Sequence, residues 1–287
     1  MKSILPLIGF FSLASANPGM AANLHDSYLN PLPVHHVYQY SPRLGRDGSM
    51  YCGPAAVVES IAFLKWFRQP GFSLLKWSPD APRIPSGNDD GYLYSQTLEF
   101  VKILKTDPNV FPSLDRFVTD PANIVRGLRQ YFQDSGYDKP WVYARGLRAF
   151  DAPEGRSVED MRQPVTLAEV REFTRLGFGV ILLIGYYDLN GYFSDYIRGR
   201  PRLAQRYGGH YLAVFGFNHD SSLGDDQTEF IVTNSLGRPS YQPQNIRFSG
   251  LEKNPRVIYP DHIKYKVDGH SSHFLDTAIF FIPSLNR

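Results

Sequence analysis

The sequence of 287 residues contains a single cysteine, Cys52, so the chain cannot form an internal disulfide bond. Its 30 basic and 28 acidic residues nearly balance, which gives no reason to expect a nucleic acid or an anionic membrane as partner. It lacks a Gly-x-x-x-x-Gly-Lys-[Ser/Thr] phosphate loop, internal repeats and low-complexity tracts. The hydrophobic share of 43% is that of an ordinary globular protein, and the length suits one domain or two closely packed lobes.

The N-terminal segment has the pattern of an export signal. Lys2 precedes an apolar run from Ile4 to Leu13, and Ala14-Ser15-Ala16 has the small-x-small pattern of a cleavage site. The run is about half of the ~20 residues that a membrane-spanning helix needs. We therefore expect a signal peptide at 1–16, no integral membrane segment in the mature chain at 17–287, and a periplasmic or secreted location. The alternative is a buried N-terminal strand or helix.

Helical patterns dominate the first part of the chain. They predict helices at Gly53–Phe67, Tyr94–Lys105 and Pro121–Ser135, the last with Asp120 as its N-cap. A fourth helix is predicted to open at the capping box of residues 166–169 and to stop at Gly177. Residues 17–48 suggest an extended arm, and the breaker-rich stretches 69–91 and 239–269 suggest long loops.

Strand patterns dominate the last third. The continuous apolar run at Gly179–Tyr187 predicts a buried strand, and a short strand is predicted earlier, at Trp141–Arg145. Further candidates, rich in β-branched and aromatic residues, are His210–Phe217, Glu229–Thr233 and Phe274–Ile282. The sequence therefore predicts an α+β fold: a helical lobe at about 49–165 packed against an antiparallel sheet or barrel lobe at about 166–287.

Cys52 lies where the first predicted helix begins. A helix N-terminus favours a thiolate, and its unpaired amides, including that of Cys52, point to where an oxyanion would form. The alternative is a small hydrophobic residue packed under the helix. His210, in Gly208-Gly209-His210, is a candidate base for the thiol, or else a strand histidine bound to a carbonyl. Asn234 ends a predicted strand and is either a group that orients the imidazole or a turn asparagine.

These three segments resemble papain-like cysteine peptidases. GGHYLAVFGF followed by IVTNSLG is similar to their His and Asn strands, and YCGPAAVVE is similar to the start of the cysteine helix in bacteriocin-processing (double-glycine leader) peptidases and their stand-alone relatives. The resemblance implies a papain-like fold in which Cys52 is the nucleophile, His210 its base and Asn234 the third residue. In the bacteriocin-processing branch the third residue is usually Asp, so Asn234 is closer to papain.

The family also places a glutamine before the cysteine, where its side chain helps to bind the oxyanion. The resemblance makes Gln39 the candidate for that role. In the family this glutamine is about six residues ahead of the cysteine, where the present chain has Arg46, so a loop would have to bulge between Gln39 and Cys52. The alternative is that Gln39 is an ordinary residue of the arm.

Two further clusters of side chains have the composition of binding sites. His270 and His273, with Asp261 and His262 nearby, could hold a metal. The chain has no second cysteine and no helical two-histidine zinc motif, so we expect solvated loop histidines, no metal and no cofactor. The second cluster consists of the aromatic pairs at 186–187 and 192–193. They could line a substrate cleft, but we expect them to be ordinary core or rim residues.

Three functions are compatible with this sequence. The first is a secreted hydrolase that cleaves a peptide or isopeptide bond in a peptide or protein substrate through a thioester on Cys52. The second is an acyltransferase or transglutaminase-like deamidase, in which an amine or a thiol resolves the same thioester. The third is a non-catalytic secreted binding module in which Cys52 belongs to the core. The oligomeric state is not readable from the sequence.

Overall fold

Eight antiparallel strands and four α-helices make up the part of the chain that the computed structural model describes. That part comprises residues 25–29, 36–44, 50–68, 91–104, 106, 119–146, 162–188, 205–220, 222, 228–237, 243–251 and 263–283. The predicted signal peptide, most of the predicted 69–91 loop, and residues 192–193 and 261–262 lie outside it. No described helix has the length and apolarity to cross a membrane.

The strands form one sheet that closes on itself. They are β1 (His25–Leu29), β2 (Trp141–Gly146), β3 (Gly179–Asp188), β4 (Gln205–Asp220), β5 (Thr228–Thr233), β6 (Gln244–Gly250), β7 (Tyr265–Val267) and β8 (His273–Ile282). The order is β1-β4-β3-β8-β7-β6-β5, and β5 also pairs with β4, so six strands close into a barrel. Strand β1 extends the sheet beside β4, and β2 pairs with β8.

The helices are α1 (Cys52–Arg68), α2 (Gly91–Ile103), α3 (Pro121–Asp134) and α4 (Leu167–Arg175). Two predicted N-caps are confirmed. The Asp120 carboxylate accepts a hydrogen bond from the Ala122 amide at 2.8 Å, and the Thr166 hydroxyl accepts one from the Glu169 amide at 3.2 Å. Both caps satisfy backbone donors that a helix start leaves unpaired, which is why a short local pattern locates them.

Two hydrophobic cores lie on opposite faces of the barrel wall. Alternate residues of β3 and β4, such as Leu183 and Tyr211, face α1 and join the core that the first three helices build with the sheet. The intervening residues, such as Leu182 and Leu212, belong to the other core, with Phe230 and Phe280. The mixed α+β architecture, with helices against an antiparallel barrel, is therefore as predicted. The lobe boundary near residue 165 stays a prediction.

The prediction of one long loop over 239–269 is wrong, because β6 and β7 lie inside it. In β6, Ile246 and Phe248 pack on the barrel core while Asn245 and Arg247 are exposed. That alternation is a strand signal, hidden by the polar character of the segment. Strand β4 also begins before the predicted His210, since Gly208 and Gly209 pair with β3 despite the low strand propensity of glycine.

Candidate active site

Cys52 is the first residue of α1, and its side chain is partly buried against the helical core. The next position, 53, has room only for glycine, because the Thr119 side chain occupies the space of a side chain there. A Cβ on Gly53 would lie 2.7 Å from the Thr119 side chain. The Thr119 carbonyl accepts a hydrogen bond from the Tyr211 hydroxyl at 2.6 Å. The start of α1 is thereby packed against β4, the strand that carries His210.

The surroundings of the Cys52 sulfur act on its pKa in opposite directions. Burial raises the pKa of the thiol above its usual value, and the backbone amides of Tyr211, Gly53 and Cys52 itself oppose that rise. The amides of the helix start do favour the thiolate, as predicted, but the loss of water outweighs them, so the pKa of the thiol is raised overall. The amide of Tyr211 places the sulfur next to the residue that follows His210.

His210 and Asn234 are brought together as predicted. His210 Nε2 lies 2.8 Å from Asn234 Oδ1, and the same oxygen accepts a hydrogen bond from the Leu236 amide at 3.0 Å. A backbone N–H can only donate, so the atom facing it is the amide oxygen. His210 Nε2 must then be the protonated nitrogen, and Nδ1 of the neutral ring carries the lone pair. Asn234 Nδ2 donates to Gln244 Oε1 at 2.9 Å, which holds the amide in this orientation.

His210 is almost completely buried, and burial lowers its pKa to about 4, although the hydrogen bond with Asn234 opposes the fall. An imidazole with so low a pKa is uncharged at neutral pH. His210 therefore rests as an uncharged base and Cys52 as a protonated thiol, rather than as an imidazolium and a thiolate. Such a base takes up a proton only when the reacting group loses one.

Gln39 lies next to the Asn234 turn despite its unusual spacing from Cys52. Its backbone amide donates to the Ser235 carbonyl at 3.0 Å, and its side-chain Oε1 accepts from the Ser235 hydroxyl at 2.7 Å. The oxygen end of the amide is thus directed at Ser235, so the opposite end is the donor. A donor is the group that an oxyanion requires. The role of Gln39 itself stays a prediction.

Sequence reasoning missed a buried carboxylate that ties the three site segments together. Glu59 of α1 is 1% exposed; its Oε1 accepts from the Val37 amide at 2.7 Å, and its Oε2 accepts from the Thr233 hydroxyl at 2.7 Å. His36 Nδ1 lies 3.0 Å from Glu59 Oε1, and His36 Nε2 lies 2.7 Å from the Gly237 carbonyl. The Gly237 carbonyl can only accept, so His36 Nε2 carries a proton, and the ring is enclosed between this carbonyl and the Glu59 carboxyl group.

This His36–Glu59 pair joins the arm that carries Gln39, the helix that begins at Cys52 and the turn that follows Asn234. Nothing in the local sequence marks either residue, because the burial of each depends on partners distant in the chain. The available signal was a helical glutamate that directly follows four apolar residues, and it is a weak one.

The histidines at the start of β8 form a stacked group. The rings of His270 and His273 lie 4.4 Å apart, and His273 lies 4.3 Å from the ring of Tyr186. His270 is exposed, as expected of a loop histidine. Within the described ranges, no three His, Cys, Asp or Glu side chains converge as they would around a metal ion.

The sequence matches none of the protein-family models and none of the curated proteins with which it was compared.

Proposed function

We propose that this protein is a papain-like cysteine hydrolase that cleaves peptide or isopeptide bonds through Cys52, His210 and Asn234. The observation that carries the proposal is the hydrogen-bond chain from the Leu236 amide through Asn234 Oδ1 to His210 Nε2, because it reserves Nδ1 for accepting a proton. The chain order Cys, His, Asn and the packing of a cysteine-bearing helix on a barrel support the papain-like assignment.

In the first half of the reaction, His210 Nδ1 removes the thiol proton as Cys52 Sγ attacks the substrate carbonyl carbon. The electron pair of the carbonyl moves to its oxygen. The Cys52 amide and the side-chain amide of Gln39 donate to this oxyanion, and one such donor is worth roughly 3 kcal/mol. The carbon–nitrogen bond then breaks, the imidazolium protonates the leaving amine, and a thioester remains on Cys52.

In the second half, His210 takes a proton from a water molecule, which attacks the thioester. The tetrahedral adduct collapses, the carboxylic acid leaves, and the proton returns to the sulfur. An amine or a thiol that replaces this water gives a transferase instead, with no change in the residues involved. A partly exposed Cys52 favours either reaction over the inert core thiol of a binding module.

The test is the cleavage of a diverse peptide library and of peptidoglycan fragments by wild type and by Cys52→Ala, with mass spectrometry of the products. We expect cleavage by wild type and none by the variant, whose fold is checked by circular dichroism. Glycinamide in the same assay separates the outcomes, since transfer products carry its added mass and hydrolysis products do not. Equal cleavage with and without the thiol overturns the proposal.

The proposal also locates the enzyme outside the cytoplasm, with residues 1–16 removed on export. N-terminal sequencing of protein recovered from the periplasm or the medium of an expressing bacterium tests this. We expect the mature chain to begin at Asn17. Recovery of the intact N-terminus from the cytoplasm alone would contradict export without affecting the proposed chemistry.

A further inference from the structure

An ion pair lies close to the candidate nucleophile and is not used by the proposed reaction. Asp276 of β8 is fully buried, and its two carboxylate oxygens accept hydrogen bonds from Arg206 Nε at 2.7 Å and from the Tyr187 hydroxyl at 2.7 Å. The Arg206 side chain is 14% exposed, and its Nη2 is buried without an acceptor among the described residues. A buried donor left without an acceptor is costly, so this one needs an explanation.

Two glycines make room for the pair. Gly185 of β3 and Gly209 of β4 lie directly opposite each other in the sheet. A Cβ on Gly185 would overlap the Asp276 carboxylate, and a Cβ on Gly209 would overlap Arg206 Nη2. Because side chains alternate along a strand, this face is the one that carries Leu183 and Tyr211 and packs against α1. The pair therefore occupies a built space on the α1 side of the sheet.

This space lies within the length of a short substrate from Cys52. The Cys52 sulfur contacts the amide of Tyr211, and Gly209 is two residues away along β4, a distance of roughly 6.6 Å. Tyr186 interacts electrostatically both with Cys52 and with Arg206. Burial raises the pKa of Tyr186 to about 12, and the acidic groups of Cys52, Tyr207 and Tyr40 add to the rise, while the charge of Arg206 opposes it. The hydroxyl of Tyr186 is therefore protonated at neutral pH and can donate.

The alternation of β4 also indicates which part of a substrate would lie here. His210 and Gly209 face opposite sides of the strand. The leaving amine must lie beside the His210 imidazole, which protonates it. The space at Gly209 is then on the side of the acyl group, about two residues of extended chain from Cys52.

We propose, on the basis of the proposed hydrolase function, that Arg206 selects substrates with a carboxylate side chain on the residue preceding the one whose carbonyl reacts. Asp276 holds the guanidinium through Nε and is itself satisfied by Tyr187, while the Arg206 side chain is 14% exposed, so its Nη donors are the ones left for a ligand. A carboxylate is the acceptor that guanidinium donors bind best. Tyr186 is near enough for the Arg206 charge to act on its pKa, so its hydroxyl is a further donor in this neighbourhood.

The experiment uses two matched reagents that alkylate the candidate nucleophile, acetyl-Glu-Gly and acetyl-Gln-Gly chloromethyl ketones. They differ only in a carboxylate against a carboxamide. Because Cys52 is the only cysteine, the mass of the intact protein reports its labelling rate. We expect wild type to react about tenfold faster with the glutamate reagent, as for one charge-assisted hydrogen bond. In Arg206→Gln this ratio should fall to about one, and Arg206→Lys should keep part of it.

Arg247→Gln is the matched control, since Arg247 is 58% exposed and bonds Glu229 on the surface; it should keep the wild-type ratio. If Arg206→Gln fails to fold with Asp276 unpaired, the double variant Arg206→Gln/Asp276→Asn removes both charges and should also show a ratio near one. A wild-type ratio of one or less, or a ratio unchanged by loss of Arg206, overturns this inference alone. If neither reagent labels Cys52 faster than it labels free cysteine, the proposed function fails and this inference fails with it.

Discussion

The amide oxygen of Asn234 lies 2.8 Å from His210 Nε2 and accepts a hydrogen bond from the Leu236 amide at 3.0 Å. The contact with the Leu236 amide identifies which atom of the Asn234 side chain faces His210. Because the Leu236 N–H fixes the identity of the oxygen, His210 Nε2 must carry a proton, and the low pKa of the buried ring then leaves a lone pair on Nδ1. The turn after β5 thus holds the imidazole in the tautomer that can take a proton from a thiol.

Replacing Asn234 by alanine should leave the imidazole without its orienting partner. A positioned general base supplies roughly 10²–10⁴-fold in rate, and we expect Asn234→Ala to lose about 10- to 100-fold of this in kcat, with a smaller change in KM. Steady-state kinetics on a peptide that wild type cleaves measures the effect. Asn245→Ala, at an exposed asparagine bonded to Glu229, is the control. A similar loss of kcat in both variants would show that Asn234 does not orient the His210 imidazole.

The depressed pKa of His210 predicts how stability changes with pH. Burial lowers this pKa from the ordinary 6.5 to about 4, so the unfolded chain binds the proton more readily than the folded one. The contribution of His210 to stability is therefore complete above pH 6.5 and is lost as the pH falls towards 4. We expect the loss to reach roughly 3 kcal/mol.

Urea unfolding of wild type and His210→Gln at about pH 7 and about pH 4.5 measures this contribution. The fall in the free energy of unfolding between these pH values should be larger for wild type, because glutamine does not titrate. His270→Gln, at an exposed histidine, is the comparison variant. An equal fall in wild type and His210→Gln would show that His210 titrates normally in the folded protein.

Loss of the Gln39 side chain should slow acylation if its amide donates to the oxyanion. Removing one such donor costs about 10²–10³-fold in kcat in known enzymes, and we expect Gln39→Ala to fall in or just below this range. Ser235→Ala, which removes the hydroxyl that holds Gln39 Oε1, should cause a smaller loss. Gln130→Ala, at an exposed glutamine of α3, serves as control. Unchanged kcat in Gln39→Ala would make Gln39 a structural residue of the arm.

The buried pair of His36 and Glu59 should contribute to stability and to the geometry of the site. Glu59→Gln removes the carboxyl group that lies 3.0 Å from the buried His36 ring, and we expect a loss of about 1–3 kcal/mol in the free energy of unfolding. Glu172→Gln, on the exposed surface of α4, should change it by less than about 0.5 kcal/mol. Urea denaturation compares the two. A loss of similar size at both sites would mean that the pair has no special importance.

The structure separates what local sequence determines from what it does not. The helix starts at Asp120 and Thr166 were predictable because a cap depends on residues only a few positions apart. The contact of His210 with Asn234 was predictable only through the family resemblance, since the two residues lie on separate strands. The path of the chain between β5 and β7 was missed because polar residues concealed the alternation in β6.

Buried charges were the least predictable features. Glu59 and Asp276 are each almost fully enclosed, and each is stable there because partners from distant segments supply hydrogen bonds. A sequence shows neither the burial nor the partner. The pKa of Cys52 shows the same dependence. The amides of the helix start lower it, but burial, which no local pattern reveals, raises it by more.

The most direct test of the central claim is to trap the thioester. Wild type is mixed with a peptide that it cleaves, quenched in acid within the first turnover, and examined by whole-protein mass spectrometry. The account predicts a protein heavier by the mass of the acyl half of the peptide, with the addition mapped to Cys52 and abolished by hydroxylamine. Cleavage that proceeds with no adduct on Cys52, and at the same rate in Cys52→Ala, would contradict it.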